Sequence, residues 1–399
     1  MRVTDPRTLA ANTLVALRTD PNAAAILRLA SSRKERIYIV GGYLRDVALG
    51  FTPRDVDLVM RDATAAAREF AKETGASLIA LQEREDGVLR RAQFRLVVRS
   101  SGGEGAVYDF GEMCEGGIES DLSQRDFTIN AIALPLPPAA EEASPVVIAP
   151  SGALADLADR LVRLVRPDAV ERDSLRILRA FRFAATLDFS IEPATSGHLA
   201  RMASRVCEPA PERTQAELLK MMSASRSARV VRQMAALGVL TRLFPELEGT
   251  RGVMQPRFHH LDVFEHSIAT YEALEDVVAD LRAWLGEWAP GAARYLAEGE
   301  RPALLKLAAL LHDVGKPETR TEQEDGTVRF HHHDERGAEM MGAVARRLRL
   351  SREQSAMLTT LVRHHMRPLQ LTAAERAGQL TARAARRMRR DCRPHAVGL

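Results

Sequence analysis

The sequence predicts an α+β protein: a sheet domain at the front of the chain, then an all-helical remainder. Two observations carry this. Short apolar or alternating runs cluster early, at "IYIV" (37–40), "DLVM" (57–60), "SLIAL" (77–81), "FRLVV" (94–98) and "AVYDF" (106–110), and runs of this length and period read as strands of one sheet. From about Leu154 onward alternation nearly vanishes, and helical stretches such as "DSLRILRAFRFAATL", "TQAELLKMMS" and "ALLKLAALLHDVG" take over. At 399 residues the chain exceeds one ordinary domain, so two or three are expected.

Taken in order, "DATAAAREFAKETG" between the second and third strands is a helix, rich in helix formers and stopped by Gly75. The proline-rich, acidic stretch "LPLPPAAEEASP" (134–145) breaks the strand pattern as a surface loop does. Two further breaks, "LFPELEGTRGVMQP" (243–256) and the charged turn "KPETRTEQEDGT" (316–327), divide the helical part. The expected segments are therefore a head at 1–150, a helical neck at 151–250, a third domain at 251–372 and a basic tail at 373–399. No repeat of 20–50 residues is visible.

Composition excludes several classes. Three widely spaced cysteines, Cys114, Cys207 and Cys392, support neither a disulfide framework nor a cysteine-rich zinc site and fit a reducing cytoplasm. The first twenty residues lack a basic-then-apolar signal pattern, and no run reaches the length of a membrane span, so a soluble protein with no membrane partner is expected. With a net charge of +3, the chain as a whole is no polycation. Its end is different: "TARAARRMRRDCRPHAVGL" concentrates arginine from Arg383 to Arg393, either as a contact to an RNA backbone or as a solvated helix. Oligomeric state is not legible.

The stretch "IYIVGGYLRDVALGFTPRDVDLVM" (37–60) carries the first chemistry. In a strand, residues i and i+2 face the same way, so Asp55 and Asp57 present two carboxylates about 7 Å apart along the backbone. Paired carboxylates suit a hard divalent cation such as Mg²⁺, which also takes substrate phosphates and assists phosphoryl transfer. Gly41 and Gly42 let backbone N–H groups approach a triphosphate, with Arg45 one turn into the next helix. Alone, either element is a weak signal. In the order strand, Gly-Gly, helix, Asp-x-Asp, they read as a nucleotide site.

That order resembles the polymerase-β-like nucleotidyltransferases, and in detail the class II tRNA nucleotidyltransferase (CCA-adding) and bacterial poly(A) polymerase family, through Gly41-Gly42, Arg45-Asp46 and Asp55-Val56-Asp57. The family's R-R-D-F-T-x-N-A motif stands here as "QRDFTINA", keeping Arg125, Asp126 and Asn130 with Gln124 in place of the first arginine. Its E-D-x-x-R-x-x-R-x-x-R-F motif stands as "RDSLRILRAFRF", giving Asp173, Arg176, Arg179 and Arg182, with Arg172 where glutamate is usual and Glu171 one place earlier. On a helix, Asp173, Arg176 and Arg179 share a face, where an acceptor and guanidinium donors can read the edge of a base. The resemblance implies a mixed-sheet head followed by a helical neck. It also implies transfer of CMP, AMP or both from CTP and ATP to a tRNA 3′ end, with Mg²⁺ on Asp55 and Asp57. Asp173 and Arg176 would select the base, while Gly42, Arg45, Arg125, Arg179 and Arg182 would meet phosphates. Asp109 in "AVYDF" is a candidate third carboxylate. Only "GEMCEGGIESDLS" separates "VYDF" from "QRDFTINA", a shortening that resembles relatives adding part of the triplet. Poly(A) synthesis shares nearly all these residues and stays open.

The second chemistry is histidine. Nine of 11 histidines lie between His259 and His365, in "FHHLDVFEHS", "LLHDVGK", "FHHHDERGA" and "VRHHMRP". The order H…HD…H…H resembles the HD phosphohydrolase superfamily, with His312-Asp313 as the diagnostic pair. By motif position the implied ligands are His266, His312, Asp313, His333 and His365, with His260, His332 and His364 as alternatives. Such a set suits Mn²⁺, Ni²⁺, Fe²⁺ or Zn²⁺ and activation of water for attack on phosphorus. Lys316, one turn on, is a candidate phosphate contact. A phosphohydrolase whose head only binds nucleotide is the alternative from another class.

Overall fold

The structure is a computed structural model that describes the chain apart from residues 1–4, 20–22, 54, 83–91, 101–102, 137–144, 151, 256–260 and 399, and apart from the side chains of 82, 99–100 and 103–105. It divides into two compact units, Met1–Arg172 with Ser190–Thr195, and Asp173–Phe189 with Ser196–Leu399. Within the first unit, Leu161–Val162 pairs with Ser190–Ile191 as a two-stranded sheet of its own.

The first unit opens on helices α1 (Pro6–Thr19) and α2 (Ala24–Ser32), followed by β1 (Ile37–Val40), α3 (Gly42–Leu49), β2 (Asp55–Met60), α4 (Ala63–Thr74), β3 (Ser77–Gln82), β4 (Gln93–Ser100) and β5 (Gly103–Glu112). Next come α5 (Gly117–Ser123), β6 (Ala133–Leu136), α6 (Ala153–Ala158), β7 (Leu161–Val162) and α7 (Ala169–Arg172). The mixed sheet has the order β3-β4-β5-β2-β1-β6. Only β2 and β5 run parallel; the other neighbours are antiparallel. The five runs read as strands fall in β1 to β5.

Strand alternation decides what each face of this sheet carries. Val56 and Leu58 of β2, Leu96 of β4 and Tyr108 and Phe110 of β5 are buried on one face. Phe70 of α4 packs there, its ring centroid 4.9 Å from Tyr108 and 5.4 Å from Phe110. Full burial of such a side chain contributes on the order of 2–3 kcal/mol. Helix α4 is fixed at both ends: the Asp62 side chain accepts from Ala65 N–H, and Gly75 closes it in the left-handed region at φ 70°. The opposite face carries Asp55, Asp57, Asp109 and Arg95 and, further along, an apolar group of Val40, Val59, Ile118, Leu122, Ala131 and Ala133.

Part of the expected surface loop at 134–145 is instead the buried edge strand β6, paired with β1 from Ile37↔Leu136 to Val40↔Ala133. Pro135 is tolerated because an edge strand has one side on which no ladder donor is needed.

The second unit is built from α8 (Arg176–Thr186), α9 (Pro193–Arg201, whose first residues belong to the first unit beside β8, Ser190–Ile191), α10 (Pro211–Ser223), α11 (Ala228–Ala236), α12 (Val239–Leu243) and α13 (Val263–Ala279). It continues through α14 (Leu281–Leu285), α15 (Ala289–Leu296), α16 (Arg301–Leu311) and α17 (Lys316–Thr319) to a small hairpin, β9 (Arg320–Glu322) with β10 (Val328–Phe330). It ends with α18 (His333–Arg347), α19 (Arg352–His364), α20 (Arg367–Arg376) and α21 (Ala382–Asp391). The charged stretch at 316–327, expected as a turn, therefore holds a helical turn and most of a hairpin. β7 and β8 are short strands where only helix was expected.

Two packing features fix the second unit. Lys306 is buried, with Nζ donating to Glu275 (2.6 Å), the Ala224 carbonyl (2.7 Å) and Ser227 Oγ (2.9 Å). Burial pushes the Lys306 ammonium down and Glu275 pulls it back. Gly315 lies against the backbone of α18: a Cβ there would meet the His333 carbonyl oxygen and come within 2.6 Å of Gly337 N. Because those neighbours are backbone, Gly315→Ala is expected to lower the stability of this unit by about 2–4 kcal/mol, seen as a lower thermal midpoint.

Candidate functional site

The first site is built where β1 ends. Gly41 adopts φ 75°, open to glycine without strain, and its N–H donates to the Ile132 carbonyl. A Cβ at Gly41 would sit 2.9 Å from Arg125 Nη1 and 3.5 Å from Asp57 Oδ2, so the missing side chain is what lets arginine and carboxylate share this turn. Helix α3 starts at Gly42 and places Arg45 inward, where Nη1 donates to Asn130 Oδ1 (2.8 Å) and Nε and Nη2 donate to Asp46 Oδ1 (2.9 and 2.7 Å). Asn130 Nδ2 donates to Asp126 Oδ1 (3.1 Å), which also accepts from Phe127 N–H. Arg125 is paired with Asp121 of α5 (3.4 Å). Gln124 ends α5 as its C-cap.

Asp55 and Asp57 lie on one face of β2, as the period of two requires, and the parallel register sets Asp57 directly beside Asp109. Asp109 in turn faces Arg95 across the β4–β5 pair, with two hydrogen bonds of 2.8 and 2.7 Å. Burial pushes the Asp57 carboxyl up to about 6; Arg125 and Arg45 pull against this, and Asp109 and Asp55 add to it. Carboxylates held together with a raised pKa are a donor set short of positive charge, which a hard divalent cation supplies.

The third motif lies in the second unit. Asp173 precedes α8 rather than sharing its face: its side chain accepts from Leu175 N–H (3.1 Å), and α8 begins at Arg176. A short polar side chain bonding to nearby backbone N–H groups is favoured just before a helix and disfavoured inside one. The other Asp173 oxygen accepts from Arg213 (2.8 Å). Arg179 and Arg182 both pair with Glu217 of α10, and the Arg182 guanidinium lies 3.8 Å from the centroid of the Phe183 ring. Arg172 is engaged with Asp168 (3.0 Å), and Glu171 belongs to α7.

The histidine centre is the tightest cluster in the second unit. His266 comes from α13, His312 and Asp313 from the turn after α16, His333 from the first residue of α18 and His365 from the turn after α19. Two groups share the buried Asp313: with His266 and His312, and with His333 and His365, the ligand atoms of each group lying within 4.8 Å of one another. Asp313 Oδ2 is 2.9 Å from His312 Nε2 and 3.5 Å from His266 Nε2. Oδ1 is 3.4 Å from His333 Nε2 and 3.6 Å from His365 Nε2. His312, His333 and His365 each set Nδ1 on a backbone carbonyl, of Ala309 (2.8 Å), Phe330 (2.8 Å) and Val362 (2.7 Å). A carbonyl only accepts, so Nδ1 carries the proton and Nε2 is the coordinating atom. Asp313 Oδ1 is buried and has no hydrogen-bond partner, so this donor set fits a transition metal. Burial works against the Asp313 carboxylate, but the charges of His312 and Lys316 hold it well below the usual carboxylate range.

Of the alternatives, His332 is exposed in the left-handed region at φ 60° and leans toward Glu335. His364 ends α19 outside both groups, and His260 lies outside the described residues. Lys316, the candidate phosphate contact, lies beside the centre. Its Nζ is turned inward, 2.6 Å from Asp313 Oδ2 and 2.5 Å from Gln255 Oε1.

Comparison with known proteins follows this division. Residues 37–163 match the poly A polymerase head domain, 188–250 the probable RNA and SrmB-binding site of polymerase A, and 263–393 the HD domain. An A-adding tRNA nucleotidyltransferase of Deinococcus radiodurans is 34% identical over 334 residues, 82% of this chain and 68% of the relative. The chain belongs to the tRNA nucleotidyltransferase and poly(A) polymerase family. A CC-adding tRNA nucleotidyltransferase of Thermus thermophilus is 35% identical over 333 residues, again 82% of this chain and 68% of the relative. The fold matches that of the Thermotoga maritima CCA-adding enzyme complexed with tRNA, with a TM-score of 0.62, 21% identity and coverage of 99% of this chain and 81% of the other. Among the described residues no helix is long and apolar enough to cross a membrane.

Residues that motif reading did not single out for this nucleotidyltransferase-family chain are the partners: Arg95, Asp121, Arg213, Glu217 and Gln255. Each meets its target across a long stretch of chain or a helix turn, and no local pattern marks it.

Two outcomes are expected. Because a proton and a cation compete for ionised Asp57, Mn²⁺ binding followed by water-proton relaxation should weaken as pH falls through about 6. Raising the Mn²⁺ concentration should move that midpoint to lower pH, and Asp57→Asn should remove this contribution while leaving Mn²⁺ binding at the histidine centre. Asp313→Asn, which keeps the shape and removes the charge, should weaken transition-metal binding by more than the roughly 10–100-fold typical of outer-sphere changes, measured by titration with metal analysis of the dialysed protein.

Proposed function

We propose that the chain transfers CMP, AMP or both from CTP and ATP to the 3′ hydroxyl of tRNA without a nucleic-acid template, releasing pyrophosphate. The observation that carries this reading is the group of Asp55, Asp57 and Asp109 in register on one sheet face beside the Gly41-Gly42 turn. Relatives of similar identity are named A-adding and CC-adding, so the extent of addition is part of the proposal; the short stretch after β5 favours partial addition.

Asp55 and Asp57 would hold Mg²⁺, which would supply charge to lower the pKa of the attacking 3′ hydroxyl and to offset that of the triphosphate. The Gly41-Gly42 turn, with no Cβ, lets phosphate approach the backbone closely, while Arg45 and Arg125, oriented by Asn130 and Asp121, supply guanidinium contacts. Asp126 acts through Asn130 as a positioning residue. Asp173 and Arg176 read the base, with Arg213 orienting the Asp173 carboxylate. Arg179 and Arg182, both paired with Glu217, contact phosphate. The head, neck, HD domain and tail expected at 1–150, 151–250, 251–372 and 373–399, and a cytoplasmic location, belong to the same reading.

A second activity is favoured by the Asp313 centre: hydrolysis of a phosphate ester or cyclic phosphodiester, with Mn²⁺, Ni²⁺, Fe²⁺ or Zn²⁺ held by His266, His312, Asp313, His333 and His365.

The test is extension of tRNA transcripts ending at the discriminator base, at C and at CC, each with CTP, ATP or both. Addition of CC, A or CCA is expected, with Asp55→Ala and Asp57→Ala each lowering the rate at least about 10³-fold, some 4 kcal/mol of transition-state stabilisation. Long adenosine tails on unstructured RNA overturn tRNA in favour of poly(A) synthesis. No incorporation under any condition overturns the transferase reading.

A further inference from the structure

The last helix, α21, carries a charge density that neither site uses. Arg383, Arg386, Arg387, Arg389, Arg390 and Arg393 are all exposed and together line one concavity of about 570 Å³. Asp391 is the only acidic residue between Arg376 and the end of the chain. It is already engaged by Arg367 (2.9 Å), Arg390 (3.0 Å) and Arg387 (3.6 Å). Among the described residues, Arg383, Arg386, Arg389 and Arg393 have no ion-pair partner.

Six guanidiniums around one hollow repel one another, and an anionic partner reverses the sign of that interaction. We propose that this concavity binds the phosphodiester backbone of the tRNA, as a contact separate from residues 188–250 matched by the RNA-binding family model; this inference rests on the transferase reading above. A rise of 1.5 Å per residue spreads Arg383 to Arg390 over about 10 Å, enough to follow successive phosphates. Guanidinium groups match phosphate oxygens two at a time, and the near-exclusive use of arginine suits that geometry. The remaining side of α21 offers Ala382, Ala384, Ala385 and Met388, without the tryptophan, phenylalanine or leucine that seats a helix in a lipid interface.

The test measures binding of a tRNA transcript to the full chain over a series of KCl concentrations. For R383A/R386A/R389A, the slope of log affinity against log salt is expected to become shallower by about 3, roughly 1 per arginine. The tRNA KM should rise about tenfold or more near 0.15 M salt at unchanged kcat. R383K/R386K/R389K, keeping the charge, should restore the slope, and equal thermal midpoints exclude unfolding; single alanine variants, each changing the slope by about 1, serve if the triple does not fold. An unchanged slope and KM in the alanine variant, with a wild-type chain that extends tRNA, overturns this site and leaves the transferase reading intact. Failure of the wild-type chain to bind or extend tRNA overturns both. Loss of binding to phosphatidylserine vesicles without any change toward tRNA overturns RNA in favour of a membrane partner.

Discussion

The parallel pairing of β2 with β5 places the Asp57 carboxylate beside that of Asp109, and this juxtaposition of like charges sets the character of the first unit. Two carboxylates side by side on a sheet are unfavourable unless positive charge is near. The unit answers with Arg95 on one flank and with Arg125 and Arg45 on the other, yet the Asp57 carboxyl remains raised to about 6. The sheet can hold this arrangement because its other face is dry. Phe70, Tyr108 and Phe110 lock α4 against β2, β4 and β5, so the register cannot slip without moving every apolar side chain to the wrong face. Packing on one side therefore enforces electrostatic crowding on the other.

The second unit applies the same logic with different donors. Asp313 is buried among four imidazoles, and three of those rings are pinned through Nδ1 to carbonyls near helix ends. The carbonyls are ones that a helix leaves free in its last turn or that sit just ahead of its first. Helix ends thus perform two tasks, completing backbone hydrogen bonding and fixing the tautomer of the ligand. Close approach of the Gly315 turn to α18 at Gly337 brings Asp313 and His333 together, and any side chain at Gly315 would hold them apart. Lys316 supplies the local cation, reaching Asp313 from one turn away and steadied by Gln255.

Both units use paired charge to hold a carboxylate ready, whereas α21 gathers charge of one sign with a single acid among six arginines. Buried cations and exposed ones play separate parts. Lys306 and Lys316 are enclosed by acceptors and stabilise the fold or its centre, while the arginines of α21 are presented to whatever anion approaches.

The sequence by itself determined the elements whose signals are local. Strands β1 to β5 were marked by their period of two, α4 by helix formers ending at Gly75, and the shared face of Asp55 and Asp57 by strand geometry alone. The short motifs placed Gly41, Arg45, Arg125, Asn130, His312 and Asp313 in order along the chain, because turn chemistry and ligand spacing are written in consecutive residues. β6 was hidden by the prolines around it, since its burial comes from pairing with β1 rather than from its own pattern. Asp173 was assigned to a helix face that begins three residues later, because capping competes with helix extension and only the backbone shows which wins. Tertiary structure alone decided the neighbours: Asp109 and then Arg95 beside Asp57, Arg213 on Asp173, Glu217 under Arg179 and Arg182, and Gln255 on Lys316. Those contacts depend on strand register and helix packing between segments tens of residues apart, and a linear pattern carries no record of which distant side chain the fold will bring within 3 Å.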